Sequence, residues 1–259
     1  MQVIKVIGHI IDWLKGYCDN AGMQGFVVGV SGGIDSAVTS TLCAKTGKKT
    51  IVLNLPIYQA AKQVLLADQH IAWLEKNFNS VNGIKVDLTR AVDALAEIFP
   101  PEIQEGLVMA NTRSRMRMIA LYAFATHHRM LVVGTGNKVE DFGVGFFTKH
   151  GDGGVDISPI GDLNKSEVYA VGKALNIHET ILKAPPTDGL WVDNRTDESQ
   201  IGASYPELEW AMQFEANPRD EDQLDARKKE VLAIYRKFHN ANKHKMLPIP
   251  VCEIPDALR

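Results

Sequence analysis

The stretch Val28-Gly29-Val30-Ser31-Gly32-Gly33-Ile34-Asp35-Ser36 constrains this chain more than any other. An apolar run, Phe26 to Val28 with Val30 beyond it, comes before, and Ala37, Val38, Leu42 and Cys43 follow at the spacing of a buried helix face. The order is strand, glycine turn, helix. The first N–H groups of a helix have no internal partner, and the helix dipole favours negative charge there, so such a turn collects anions. Gly32 and Gly33 let the backbone come close to a bulky anion, and Ser31 and Ser36 add hydroxyl donors. Asp35 would repel a phosphate unless a divalent cation is shared between them. No lysine follows the glycines, which excludes the usual P-loop.

The remaining elements place that turn in a sheet. An amphipathic helix is expected over 3–18, with Val3, Val6, Ile7, Ile10, Ile11 and Leu14 as its stripe. A helix is expected from about Ser36 to Lys45, a buried strand over Thr50–Leu55 and a long helix over Ala60–Phe78. Asn82-Gly83 reads as a turn into a short strand, Ile84–Val86, followed by a helix over Thr89–Phe99 that Pro100-Pro101 stops. Further helices are expected over 103–129, from Asn164 onward and over Asp220–Asn240, with a strand at Met130–Val133. Residues 191–204 read as a loop, and Lys243-His244-Lys245 as part of a basic tail. Strands alternating with helices predict an α/β fold, doubly wound around a mostly parallel sheet with helices on both faces. Ligands then belong at the carboxyl ends of the strands, where the glycine turn lies.

Composition removes whole classes of function. The formal net charge is −3, so no general basic field draws the chain to nucleic acid. Cys18, Cys43 and Cys252 are far apart, with no Cys-x-x-Cys pair, which argues against a zinc or iron–sulfur site and a disulfide framework. No segment reads as a signal peptide or a membrane span, and a reducing cytoplasm is the expected home.

Two further segments carry chemistry. In Asn111-Thr-Arg-Ser-Arg-Met-Arg-Met118, Arg113 and Arg117 share a helix face and Arg115 points roughly the opposite way. Solvated surface arginines and an interface or anion site fit this pattern equally. Residues 143–159 combine five glycines with Phe146, Phe147, Thr148, Lys149, Asp152 and Asp156, too polar for a core element and too aromatic for a solvated linker, which favours a binding loop over a mobile loop with buried phenylalanines. Glu140, after the Gly134-Thr135 turn, is a plausible second carboxylate for a metal.

In order, these pieces resemble the ammonia-dependent NAD synthetases of the ATP pyrophosphatase (PP-loop) superfamily. The glycine turn at 31–36 is common to that superfamily, whereas Gly145-Phe-Phe-Thr-Lys-His-Gly-Asp-Gly-Gly154 and Ala184-Pro-Pro-Thr-Asp188 are much narrower. The resemblance implies one Rossmann-like domain over 1–259, of the adenine nucleotide alpha-hydrolase-like type, without a separate amidase domain. It implies a ligase that adenylates the carboxylate of deamido-NAD with ATP, releases pyrophosphate, and lets ammonia displace AMP. Gly29, Val30, Ser31, Gly32, Gly33, Ile34, Asp35 and Ser36 would hold ATP with Thr135, Lys165 and Thr187. Asp35 and Glu140 would ligate Mg²⁺. Arg115, Lys149, Asp156, His244 and Lys245 would contact deamido-NAD in a homodimer whose arginine helix is part of the interface.

The resemblance has two departures: one residue too many between Glu140 and Gly145, and no arginine after Leu55-Pro56 to meet adenine. Lys165 opens a helix, where a cation is unfavourable unless an anion is near, and this favours a phosphate contact. Lys165 is accordingly expected to act in catalysis, on the leaving pyrophosphate. Asp152 is the second catalytic candidate, since ammonium must lose a proton before it attacks; an aspartate simply favoured by the turn fits as well. A tRNA thiolase or lysidine synthetase would need an RNA-binding surface or more cysteines, and a non-enzymatic nucleotide sensor would not need Asp35, Glu140 and Lys165 together.

Overall fold

The computed structural model describes residues 1–187, 189, 196–217 and 220–259. Helix α1 (Val3–Asn20) buries Ile7, Ile10, Leu14 and Cys18, one residue each turn. It is followed by β1 (Gly25–Gly29), α2 (Ile34–Lys45), β2 (Lys49–Asn54), α3 (Ala61–Asn77) and β3 (Val81–Lys85). Then come α4 (Thr89–Ile98), α5 (Gly106–His128) and β4 (Leu131–Val133). A π-helical turn, Val139–Val144, leads to the glycine-rich loop. The carboxyl-terminal part holds α6 (Lys165–Ala174), the short α7 (Glu179–Leu182) and α8 (Asp197–Ile201), α9 (Tyr205–Ala216) and α10 (Ala226–Met246).

The four strands lie in the order β3-β2-β1-β4 and pair in parallel throughout. Side chains alternate across the sheet, as a pleated strand requires. Phe26, Val28, Val52, Leu131 and Val133 enter one apolar cluster with α1, α2, α3 and α6. Val27, Ile51, Leu53 and Val132 enter another with Met118, Leu121 and Ala125 of α5. Both faces are covered, which is why the strands read as unbroken apolar runs. The chain winds outward from β1 through β2 to β3, then returns to lay β4 on the other side of β1. The crevice at that reversal, beyond the carboxyl ends of β1 and β4, is where such sheets bind ligands.

A third apolar cluster stands beside the sheet. Val139 and Val144 of the π-helical turn pack with Ile201, Leu208, Phe214, Val231 and Leu232 from α8, α9 and α10, and with Ala203 between α8 and α9.

The structure corrects several expectations. Asn82-Gly83 lies inside β3, where it pairs with Ile51 and Val52, instead of forming a turn. Glycine is needed there for close approach, because a Cβ on Gly83 would lie 2.2 Å from Ile71 of α3. The expected loop over 191–204 contains α8, and 191–195 lie outside the described residues, as does Asp188 of the Ala184–Asp188 turn. Helix α9 was not anticipated, although Ser204 and Glu207 form a capping box with Pro206 in the first turn. The last long helix begins after Asp225, whose carboxylate accepts the Lys228 N–H at 2.8 Å, and runs on to Met246. His244 and Lys245 therefore sit on its final turn and not in a tail.

Candidate active site

The glycine turn is built as the sequence predicts. Ser36 Oγ donates to the Gly33 carbonyl at 3.0 Å and accepts the Ser31 N–H at 3.1 Å, closing the loop on itself. Gly32 adopts φ +87°, in the left-handed region. Gly33 precedes the helix in an extended conformation and gives α2 no side-chain cap. The N–H groups of Ile34, Asp35 and Ser36 have no hydrogen-bond partner among the described residues. Asp35 and Ser36 line a cavity of about 230 Å³ at the reversal of the sheet.

That cavity gathers Gly29, Val30, Ser31, Gly33, Asp35, Ser36, Thr135, Glu140, Asp152, Lys165 and Thr187 of the candidate residues. Gly32 and Ile34 belong to the same turn but not to its lining. Lys165, only 3% exposed, is part of its wall. Its ammonium lies 2.6 Å from Asp35 Oδ2 and 3.0 Å from Glu140 Oε1. The cation that looked misplaced at the start of α6 thus has anions near it, and in this structure they are the protein's own carboxylates. Three segments distant in sequence supply the three charges: α2, the π-helical turn and α6. The excess residue between Glu140 and Gly145 falls within that wider turn, a form of helix that accommodates one residue more per turn.

Residues that sequence reasoning overlooked hold these charges in position. Asn137 donates to Asp35 Oδ1 at 3.1 Å, while its own oxygen accepts the N–H groups of Val139 and Glu140. The Tyr205 hydroxyl is 2.5 Å from Glu140 Oε1 and 3.2 Å from Asp197 Oδ2, and the Lys165 ammonium lies 4.7 Å from the Tyr205 ring centroid. Burial works against every charge here, yet the partners decide the outcome. Burial alone would lower the Lys165 ammonium, but Asp35 and Glu140 raise it well above an ordinary lysine. Burial likewise opposes ionisation of Glu140, and Lys165 with the Tyr205 hydroxyl brings it below the usual carboxylate range. At Asp35 burial wins over Lys165, so that carboxyl is raised.

Asp152 lies on another wall of the cavity. Its Oδ1 accepts the Ser114 hydroxyl at 2.6 Å and the Thr148 N–H at 3.0 Å, and its own N–H donates to Ser114 Oγ at 2.9 Å. Its Oδ2 has no protein partner among the described residues and stands open to the cavity. Nearby protein atoms that displace water raise its carboxyl although the residue is exposed, with Glu140 adding to that and the Ser114 and Thr148 bonds opposing it.

The five residues expected to meet the dinucleotide lie outside the lining of this cavity. Three of them meet one another across α5, the glycine-rich loop and α10, and Lys245 reaches the same loop. Arg115 Nε donates to the Lys149 carbonyl at 3.2 Å, Lys149 Nζ to the His244 carbonyl at 3.0 Å, and Lys245 Nζ to the Phe147 carbonyl at 2.7 Å. Asp156 stands apart, accepting the Tyr122 hydroxyl at 2.9 Å and the Val132 N–H at 2.8 Å. Arg117 donates to the carbonyl of Leu55 at 3.0 Å, one residue beyond β2.

Comparison with known proteins accords with this geometry. The chain is 35% identical to an NH(3)-dependent NAD(+) synthetase of Alkaliphilus oremlandii over 261 residues, 96% of this chain and 98% of that one. A protein of the same name from Mycoplasmopsis pulmonis is 34% identical over 92% of this chain and 86% of its own. Among solved structures, an NMN synthetase from Francisella tularensis superimposes with a TM-score of 0.84 at 32% identity, covering 99% of both chains. An NH3-dependent NAD synthetase from Campylobacter jejuni in complex with the nitrate ion gives 0.80 at 27%, covering 98% of this chain and 100% of that one. The family model of NAD synthase matches residues 6–248, and the chain belongs to that family.

Proposed function

We propose that the cavity is where this ligase adenylates deamido-NAD and then amidates it. The family's reaction is the last step of NAD biosynthesis and uses ATP and ammonia. One observation carries the placement: Asp35 and Ser36, whose N–H groups at the start of α2 are unpartnered, line the same cavity as Lys165 and Glu140. The N–H groups and Ser31 bind the triphosphate, Thr135 and Thr187 line the same pocket, and Lys165 neutralises charge that builds on the departing pyrophosphate. Asp35 and Glu140 offer only oxygen donors that converge on one point, which suits Mg²⁺. A Mg²⁺ held by these two carboxylates would supply charge neutralisation for the displacement at the α-phosphate.

The second step belongs to Asp152. Its free Oδ2 attracts ammonium, and its raised carboxyl is a better proton acceptor than an ordinary aspartate. Arg115, Lys149, His244 and Lys245 form the outer subsite for the dinucleotide, with Asp156 at its far margin. A homodimer built on the outer face of α5 is consistent with the exposure of Leu107, Val108 and Ile119 beside Arg115. Among the described residues no helix is long and apolar enough to cross a membrane, and Cys18, Cys43 and Cys252 are free thiols, which fits a reducing cytoplasm. The chain acts as one domain.

The likeness to the NMN synthetase supports a second reading of the substrate, with nicotinate mononucleotide in place of deamido-NAD. One assay tests both. With ATP, Mg²⁺ and ammonia present, pyrophosphate release is measured after adding either nucleotide. Higher kcat/KM for deamido-NAD upholds the first reading and higher kcat/KM for the mononucleotide the second; release with neither overturns both.

A further inference from the structure

Lys165 does not merely line the phosphate cavity. Its ammonium already occupies the point on which Asp35 and Glu140 converge, within 3.0 Å of both. The two carboxylates and the ammonium leave one net negative charge. A divalent cation added to that group alone would turn it positive in a buried site, with an ammonium against its own ligands, which is unfavourable at these separations. The balance changes when a triphosphate arrives. Asp35 lies in the first turn of α2, beside the unpartnered N–H groups that await phosphate. A lysine side chain needs only rotation about its flexible stem to exchange a carboxylate for a nearby phosphate oxygen. The carboxylates stay placed when it leaves, because Asn137 donates to Asp35 and the Tyr205 hydroxyl to Glu140.

We propose that Lys165 is a displaceable counter-ion that keeps the Asp35–Glu140 pair closed to divalent metal until nucleotide draws its ammonium onto the phosphates. Metal and ATP therefore enter together and not in sequence. This rests on the reading of Asp35 and Glu140 as metal holders.

The test measures Mn²⁺ binding by electron paramagnetic resonance, with and without α,β-methylene-ATP, which cannot release pyrophosphate. Wild type is expected to hold Mn²⁺ tightly only with the nucleotide. Lys165→Met, which removes the charge and keeps the stem, is expected to gain at least about tenfold in nucleotide-free Mn²⁺ affinity, about 1.4 kcal/mol. Lys165→Arg is expected to stay as closed as wild type. Equal nucleotide-free affinity in wild type and Lys165→Met overturns the proposal. Should Lys165→Met unfold in metal-free buffer, thermal melts with Mn²⁺ decide: recovery supports displacement, since the ion replaces the missing charge, and no recovery overturns it. Asp35→Asn separates the two levels. If it leaves nucleotide-dependent Mn²⁺ binding unchanged, the metal-site reading has failed; if it abolishes that binding while Lys165→Met behaves as wild type, only the counter-ion has failed.

Discussion

At the scale of single residues, the sequence exposes chemistry that is contiguous and hides chemistry that is assembled. Residues 29–36 are legible because the donors, the turn and the acid lie within eight consecutive residues. Tyr205 is not, since its hydroxyl acts on Glu140 from 65 residues away. Nor are Asn137 and Ser114, ordinary polar residues until folding aims them at Asp35 and Asp152. Asp152 gives a split prediction. Asp152→Asn should still form the adenylate and release pyrophosphate, yet make NAD about a hundredfold more slowly, with partial recovery at higher pH where more ammonia is neutral. Equal loss in both half-reactions would show that Asp152 only shapes the loop.

A second residue governs the acid limit of stability. His70 is 3% exposed, its Nε2 3.1 Å from Ser40 Oγ, and burial lowers it to about 4. The unfolded chain takes up this proton near pH 6.5, as an ordinary histidine does. Stability from the neutral ring is therefore complete above about pH 6.5 and falls as pH drops towards 4. Between pH 7 and pH 5 the loss should be about 2 kcal/mol. Urea midpoints at the two values, compared with those of His70→Gln, measure it; an unchanged difference in the variant would remove the assignment.

Among elements, periodicity located β1, β2, α1, α2, α3, α4 and α5 to within a few residues, because each has an apolar face that a pattern can reveal. It failed at β3, where Asn82-Gly83 imitates a hairpin turn while β2 pairs with it on one side. It failed again at α9, whose apolar residues enter a cluster shared with α8, α10 and the π-helical turn instead of the sheet. Two glycines test the structure at this scale in opposite directions. Gly145 closes the π-helical turn at φ +64°, and a Cβ there would lie 2.4 Å from Asn242 of α10. Gly145→Ala should cost about 2 kcal/mol or more through strain and overpacking. Gly8 sits within α1 with nothing inside 4 Å of a Cβ, so Gly8→Ala should add about 0.5–1 kcal/mol. Thermal melts of the two variants should move apart.

For the molecule as a whole, the candidate active centre lies between the sheet and the third cluster. Asp35 comes from the sheet side, Glu140 from the turn packed on α9 and α10, and Lys165 from α6, which α9 holds through Glu209 bonds to Ser166 at 2.8 and 2.7 Å. This seam was invisible in the sequence, since neither half shows where the other docks. Sedimentation at assay concentration should give a dimer, and a fully active monomer would exclude the α5 interface from catalysis. The strand order has a further consequence during biosynthesis. β1 leaves the ribosome well before its partner β4, which begins at Leu131 and follows roughly 5–20 s later at ordinary elongation rates. Over that interval one long side of β1 presents unpaired backbone, a template for intermolecular pairing. Arrested nascent chains ending before Met130 should therefore bind chaperone and be cleaved readily near Val27, and those with 131–163 emerged should not.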